Sequence, residues 1–212
     1  MYSVEERFLA EVEKFRLWTS AIPEEQKSLE WECDYPDWAN VYEAVEELLS
    51  TVNLEKLRKQ TLKQLLYITA ADHSCQMIAA RIARYPEQLL FLAHAALVST
   101  YSDAKWQIAV ELGKITVQKA DAERLLLAFA KDEDEYTRRR ALGALAQANS
   151  LLVNEVAATA WLSNHEYQRI MALSALHKVN SPELEKYLTL ADEDGREYVV
   201  AQAQHIRRDE TK

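Results

Sequence analysis

Turn formers are scarce in this chain, with 3 Gly and 4 Pro among 212 residues. Sandwiches and barrels need a turn signal about every 8–12 residues, so an all-β fold is excluded. Cysteine is equally sparse. Cys33 and Cys75 stand alone, without a CxxC pair, which excludes a disulfide framework and leaves no ligand set for a closed zinc site. No window approaches the roughly 18 consecutive apolar residues of a membrane span. The opening stretch MYSVEERFLAEVEKF has neither a basic start nor an apolar core of signal-peptide type, so a cytoplasmic location is expected. Positive charge is in deficit, 25 Lys and Arg against 34 Asp and Glu, for a net charge of −9. Such a surface repels nucleic acid and anionic membranes, and neither is expected as a partner. What is abundant is apolar surface: 49% of residues are hydrophobic, enough for a continuous core without a metal or disulfide.

Local signals read as helix. Ser3 followed by Glu6 matches a capping box, and Val4, Phe8, Val12 and Phe15 then recur at helical spacing on one stripe. Pro23 and Pro36 punctuate the next segment, predicting two short helices between residues 23 and 50. Asn53 is a good N-cap for a run whose buried face is Leu54, Leu57, Leu62, Leu65 and Leu66.

From about residue 72 the chain repeats itself. The segments DAKWQIAVELGK (103–114), EYTRRRALGALAQ (135–147), EYQRIMALSALHK (166–178) and GREYVVAQAQHI (195–206) register on Ala109, Ala141, Ala172 and Ala201, spaced 32, 31 and 29 apart. Ala79 continues the series 30 residues upstream. Second apolar stretches at 86–98, 121–131, 150–162 and 182–191 alternate with them, so each unit is a pair of helices. One helical hairpin cannot bury both its apolar faces, and an adjacent copy supplies the missing cover. The connectors DEDE, SNH and DEDG offer capping side chains and negative charge to the following helix.

This pattern, an apolar-Ala-x-x-Ala/Leu first helix, a second apolar helix and acidic turns over residues 72–208, resembles the HEAT-like repeat superfamily. The resemblance implies an all-α protein, an α-solenoid of two-helix repeats over 72–212. Residues 1–71 lie outside the register and read as an N-terminal helical cap packed on the repeats as one continuous domain. An irregular helical bundle with the same periodicity is the alternative.

No catalytic constellation is legible. Asp72-His73-Ser74 has the residue types of a hydrolase triad, but neighbouring positions on a helix project in different directions, and Asp72 reads as an N-cap. His73 and Cys75 offer two metal ligands where four are wanted, and the other histidines are scattered, so no metal is expected. Phosphate-cradling and nucleophile-exposing glycine motifs are absent, and no cofactor is expected. Arg138-Arg139-Arg140, together with Trp106 or Trp161, is similar to the basic concave face of HEAT-like DNA glycosylases. Consecutive helical residues point about 100° apart, however, and the preceding DEDE supplies salt-bridge partners, so the run reads as structural ion pairing.

The candidate functional surface is the stretch 24–47, with nine carboxylates against the single Lys27. Residues 1–60 carry 14 acidic and 7 basic residues, −7 of the total −9, so the excess negative charge is concentrated near the N-terminus. Aromatic rings are interleaved with it. Glu30, Trp31, Glu32, Asp34, Tyr35, Asp37, Trp38 and Tyr42 therefore stand as candidate partner-binding residues, since aromatics ringed by charge characterise protein interfaces. The structural alternative is that Trp31, Trp38 and Tyr42 anchor the cap while the carboxylates keep it soluble.

These features are similar to those of all-helical, HEAT-like immunity proteins encoded beside bacterial toxins. That resemblance implies a non-enzyme, monomeric or in a heterodimer, that captures a basic toxin domain such as a nuclease by presenting carboxylates where phosphates would lie. A HEAT-like scaffold or chaperone-type subunit and a HEAT-like DNA glycosylase are the alternatives.

Overall fold

The computed structural model describes residues 3–27 and 30–210. Ser28 and Leu29 of the acidic stretch lie outside the described residues. The described chain is all-α and repeat-like, with twelve α-helices and no strand. Among the described residues no helix is long and apolar enough to cross a membrane. The chain divides into two compact units, Met1–Glu111 and Leu112–Lys212.

The first unit opens with α1 (Val4–Ala21), and its capping box is formed as expected. The Ser3 hydroxyl accepts from the Glu6 amide at 3.2 Å while the Glu6 carboxylate accepts from the Ser3 amide at 2.8 Å. Phe8, Val12 and Phe15 form the buried stripe against α2 (Trp38–Thr51) and α3 (Lys59–Ala71). Where two short helices were expected between 23 and 50, there are two single 3₁₀ turns, Glu24–Gln26 and Trp31–Asp34, followed by the 14-residue α2. Pro36, just before Asp37, stops the second turn from continuing into α2. Asn53 caps only a 3₁₀ turn, Leu54–Lys56, and α3 begins after it. The short α4 (Met77–Ile82), α5 (Pro86–Leu97) and α6 (Ser102–Leu112) follow. Buried polar groups tie these helices together: the Gln107 amide donates to the Thr69 carbonyl at 2.7 Å and to the Asp103 carbonyl at 2.9 Å.

The second unit contains three helical hairpins: α7 (Lys119–Phe129) with α8 (Glu135–Gln147), α9 (Val153–Leu162) with α10 (Glu166–Lys178), and α11 (Leu184–Asp194) with α12 (Glu197–Glu210). Helix α10 packs against both α8 and α12, so the registered helices form one layer. Ala141 and Ala172 are fully buried at these crossings, and Leu145 and Leu176 fill the space beside them. Gly113 lies so close to α8 that a Cβ there would fall 2.8 Å from the Cα of Ala144.

In α12 the register differs from the one expected. Ala201 is exposed, and Ala203 is the buried equivalent, at 0% exposure. A shift of two residues turns a helical position by about 200°, to the opposite face. With Ala203 in place, Ala141, Ala172 and Ala203 are separated by an even 31 residues, as are the motifs Glu135-Tyr136, Glu166-Tyr167 and Glu197-Tyr198. The turns repeat with the same step. Asn149 and Asn180 both adopt left-handed backbone (φ 53° and 49°). The amides of Ser150 and Ser181 then close back onto the carbonyls of Leu145 and Leu176 at 3.0 and 2.9 Å. This is a Schellman-type helix end, in which a left-handed residue lets the chain satisfy a terminal carbonyl.

An ion cluster closes the last two hairpins. Asp194, its side chain 1% exposed, accepts from the Arg196 guanidinium at 2.6 and 2.7 Å and pairs with Arg169. Arg169 also donates to the Trp161 carbonyl at 3.1 Å and lies over the Trp161 ring. Arg196, and after it Arg169, hold the Asp194 carboxyl well below the usual carboxylate range. A depressed native pKa stabilises the fold above the unfolded-state value and loses that contribution as pH falls. Asp194→Asn is therefore expected to lower stability at pH 7 by about 1.5–3 kcal/mol, the scale for hydrogen bonds to a charged group. Denaturant titrations should show that gap narrowing as the pH drops below the ordinary aspartate value of 3.8.

Candidate interaction site

The acidic segment is seated on an aromatic layer built around Phe15. The Phe15 ring centroid lies 5.1 Å from that of Tyr35, edge-on, 5.1 Å from Trp38, and 6.0 Å from Trp18. Trp31 stacks on Trp18 at 5.6 Å, and Tyr42 stacks on Trp38 at 5.5 Å, with planes 17° and 15° apart. The rings thus run from Trp31 to Tyr42 without a break. Tyr35 is 5% exposed, whereas Trp31, Trp38 and Tyr42 are half-buried. Phe15 and Trp18 complete the layer from α1. Of these two, Phe15 was legible as part of the helix stripe; Trp18 follows it at the i+3 spacing that places both on one face.

Polar bonds lock the rings in place. The Trp38 indole N–H donates to the Glu32 carbonyl at 2.7 Å, pinning the Trp31–Asp34 turn onto α2. The Tyr42 hydroxyl donates to Asp72 Oδ1 at 2.8 Å, while Asp72 Oδ2 accepts from the Ile78 amide at 2.7 Å. Asp72 thereby caps α4, but from the end of α3 rather than from the N-cap position, which Gln76 occupies. At 2% exposure, burial is the main force raising the Asp72 carboxyl, opposed by these hydrogen bonds. Burial, then the charge and hydrogen bond of Asp72, push the Tyr42 hydroxyl far above the ordinary tyrosine range. Arg81 lies 4.7 Å above the Tyr42 ring, and Lys27 lies 5.3 Å from the Trp31 ring.

The candidate residues therefore divide into two sets. Trp31, Tyr35, Trp38 and Tyr42 turn into the unit. The carboxylates of Glu30, Asp34 and Asp37 are exposed, with Glu32 half-exposed beside them. Among the described residues Glu25, Glu30, Glu32, Asp34 and Asp37 make no ion pair. Carboxylates elsewhere in the unit are engaged, for example Glu5 with Arg58 at 2.9 Å and Glu46 with Arg84 at 3.0 Å. Beside the segment lies an open cleft of about 290 Å³, floored by Phe15 and Tyr67 and edged by Lys27, Trp31 and His73.

The other chemical candidates are dispersed. Asp72 bonds to Tyr42 and to α4, not to His73. No group of three or more His, Cys, Asp or Glu among the described residues is arranged to hold a metal. Arg138 donates to the carbonyls of Asp132 and Glu133, each at 2.8 Å, and Arg139 pairs with Glu135 at 3.3 Å. Trp106 and Trp161 are buried.

Removing the Asp72 carboxylate with Asp72→Ala orphans the Tyr42 hydroxyl and the Ile78 amide together. A stability loss of about 1–3 kcal/mol is expected from chemical denaturation. Trp38→Ala opens the aromatic layer and should cost about 3 kcal/mol. The triple change Glu30→Gln, Asp34→Asn, Asp37→Asn should leave the melting curve within about 0.5 kcal/mol of the parent, since none of these groups supports the fold. The sequence matches no family model and no curated protein.

Proposed function

We propose that this chain is a non-catalytic protein-interaction module whose acidic 24–47 segment captures a basic protein domain. The observation that carries this reading is the contrast within one segment: rings packed inward on Phe15, and five carboxylates at the surface that form no ion pair among the described residues. Unpaired like charges repel one another and weaken the fold that holds them, so a partner bearing lysine or arginine relieves a repulsion the free chain tolerates. Because residues 31–42 are already held by the rings and the Glu32–Trp38 bond, little conformational entropy is lost there on binding.

In its finer form the proposal is an immunity-type inhibitor built as a HEAT-like α-solenoid over residues 72–212 with a helical cap at 1–71. Its target is a basic toxin domain, a nuclease by preference, whose phosphate-binding groove the carboxylates fill. The 31-residue step of Ala141, Ala172 and Ala203, with the matching Asn149 and Asn180 turns, supports the repeat assignment.

A second reading, a scaffold or chaperone-type subunit that works through the repeats, is favoured by a different observation. Tyr136, Tyr167 and Tyr198 recur at the 31-residue step and are all exposed.

The decisive measurement uses the purified chain and the protein encoded by the adjacent reading frame. Association should be fast and should slow steeply between about 0.05 M and 0.5 M salt. The triple variant at Glu30, Asp34 and Asp37 should bind at least about tenfold more weakly, an electrostatic loss of roughly 1.4 kcal/mol. Binding that ignores both salt and the triple variant, yet falls with Tyr136→Ala and Tyr167→Ala, would transfer the function to the repeats.

A further inference from the structure

The cleft beside the acidic segment is walled by aromatic rings and edged by charge, all within the first unit. Phe15 floors it, the Tyr67 ring stands 6.1 Å from that of Phe15, and Tyr101 lies 6.0 Å from Tyr67. Trp31 also lines it, seated on α1 by its stack on Trp18 at 5.6 Å. Two carboxylates border these rings: Glu32, half-exposed, and Asp103, exposed in the first turn of α6. Neither makes an ion pair among the described residues. Asp103 Oδ1 accepts from the Trp106 indole N–H at 3.0 Å, which holds that carboxylate in place. The other ionisable groups at the cleft are Lys27 and His73.

Cations already sit on these rings within the chain itself. The Lys27 ammonium lies 5.3 Å from the Trp31 ring and pairs with Glu24. Guanidinium groups take ring faces twice in the same unit, Arg81 over Tyr42 at 4.7 Å and Arg16 over Tyr67 at 4.9 Å. A ring face is the negative end of the aromatic quadrupole, and it attracts a cation most where water is partly excluded.

We propose that this cleft is a socket for one arginine side chain of the protein partner, its guanidinium lying against the rings with its charge met by Glu32 and Asp103. The inference rests on the reading that the partner is basic, and it names the point where a single side chain anchors that partner. A volume of about 290 Å³ is at the lower edge for a small-molecule pocket, roughly 300–1,000 Å³, and suits one long side chain. Arginine fits better than lysine because its flat, weakly hydrated guanidinium stacks on a ring and still donates from its edges to carboxylates. Arginine in an aromatic pocket is also the usual make-up of an interface hot spot. Lys27 is then a tethered competitor. Its ammonium holds the Trp31 face and repels an incoming cation, so the partner's arginine has to displace it.

The test uses the full chain and N-acetyl-arginine amide, with N-acetyl-citrulline amide as an uncharged probe of nearly the same shape. Binding is followed at constant ionic strength through the indole N–H resonances in a nitrogen–proton correlation spectrum, the Trp31 signal being assigned with Trp31→Phe. The arginine probe should shift that signal saturably with a Kd of about 1–10 mM, and the citrulline probe should bind at least about fivefold more weakly. Glu32→Gln and Asp103→Asn should each weaken arginine binding about threefold or more, whereas Lys27→Ala should strengthen it by about the same factor. Both carboxylate changes spare the fold, since Glu32 holds Trp38 through its backbone carbonyl and an amide oxygen at position 103 still accepts from Trp106. The comparison of the two probes on the wild-type chain needs no variant. Equal binding of both probes, no saturable shift up to about 50 mM, or affinity unchanged in all three variants would overturn the proposal. Spermidine binding at least about tenfold more tightly than the arginine probe would give the cleft to a free polyamine and overturn it as well. None of these outcomes bears on capture by the acidic surface, which is read from salt dependence and from Glu30, Asp34 and Asp37, residues outside the cleft.

Discussion

The first unit depends on a balance between repulsion and aromatic burial. Nine carboxylates fall within 24 residues of chain, and only Lys27 opposes them inside that stretch. A segment so charged, with Pro23 just before it, Pro36 within it and little helical structure before α2, has poor reason to order by itself. What orders it is the chance to place Trp31, Tyr35 and Trp38 against Phe15 and Trp18. Aromatic side chains each remove a large apolar area from water, at roughly 25 cal/mol per Å², and so outweigh the modest screened repulsion between exposed carboxylates. The charges are tolerated because the rings are buried, and they stay outside because the rings have taken the inside.

The second unit solves a different problem with less aromatic surface. Its helices are rich in alanine, which allows backbones to approach but leaves little side-chain area to bury per residue. Specificity of alignment then rests on features that recur every 31 residues: the buried alanine, the leucine beside it, and the left-handed asparagine with its serine. In both repeats the serine hydroxyl bonds back to the preceding hairpin, Ser150 to Glu123 and Ser181 to Asn154. The Asp194 cluster then ties the turn between α11 and α12 to α9 and α10 through side-chain and backbone acceptors. A repeat that were only apolar could slide along its neighbour; these polar bonds have one register in which they are satisfied.

Much of this was legible in the residues. The capping box at Ser3, the stripe ending at Phe15, the alternation of helices after residue 72 and the pairing of the arginine run with its acidic neighbours all follow from spacing and chemistry over short distances. Register was legible only in part. Ala201 and Ala203 are both alanines in an alanine-rich helix, so composition could not choose between them, although the Glu-Tyr pair that opens each registered helix carries the correct step. The turns at Asn149 and Asn180 hide for a related reason: a left-handed residue is signalled most strongly by glycine, and here asparagine does that work. The contacts that define the candidate site were not legible at all. The Tyr42–Asp72 bond joins segments separated by a helix and its flanking connections, and no periodicity spans that gap.

The Tyr42–Asp72 bond also explains why a carboxylate is buried where an apolar side chain could have packed. Asp72 satisfies a hydroxyl from α2 and an amide at the start of α4 at once, and an apolar residue would leave both donors unpaired inside the unit. The cost of desolvating the carboxylate is offset only in part by those two bonds and by Arg81, which lies over the Tyr42 ring and near the same carboxyl group. A single buried acid thus sets the distance between α2 and the α3–α4 connection. The carboxylate surface and the cleft beside it are therefore not independent features. They share one positioning device, and a change at Asp72 displaces both together.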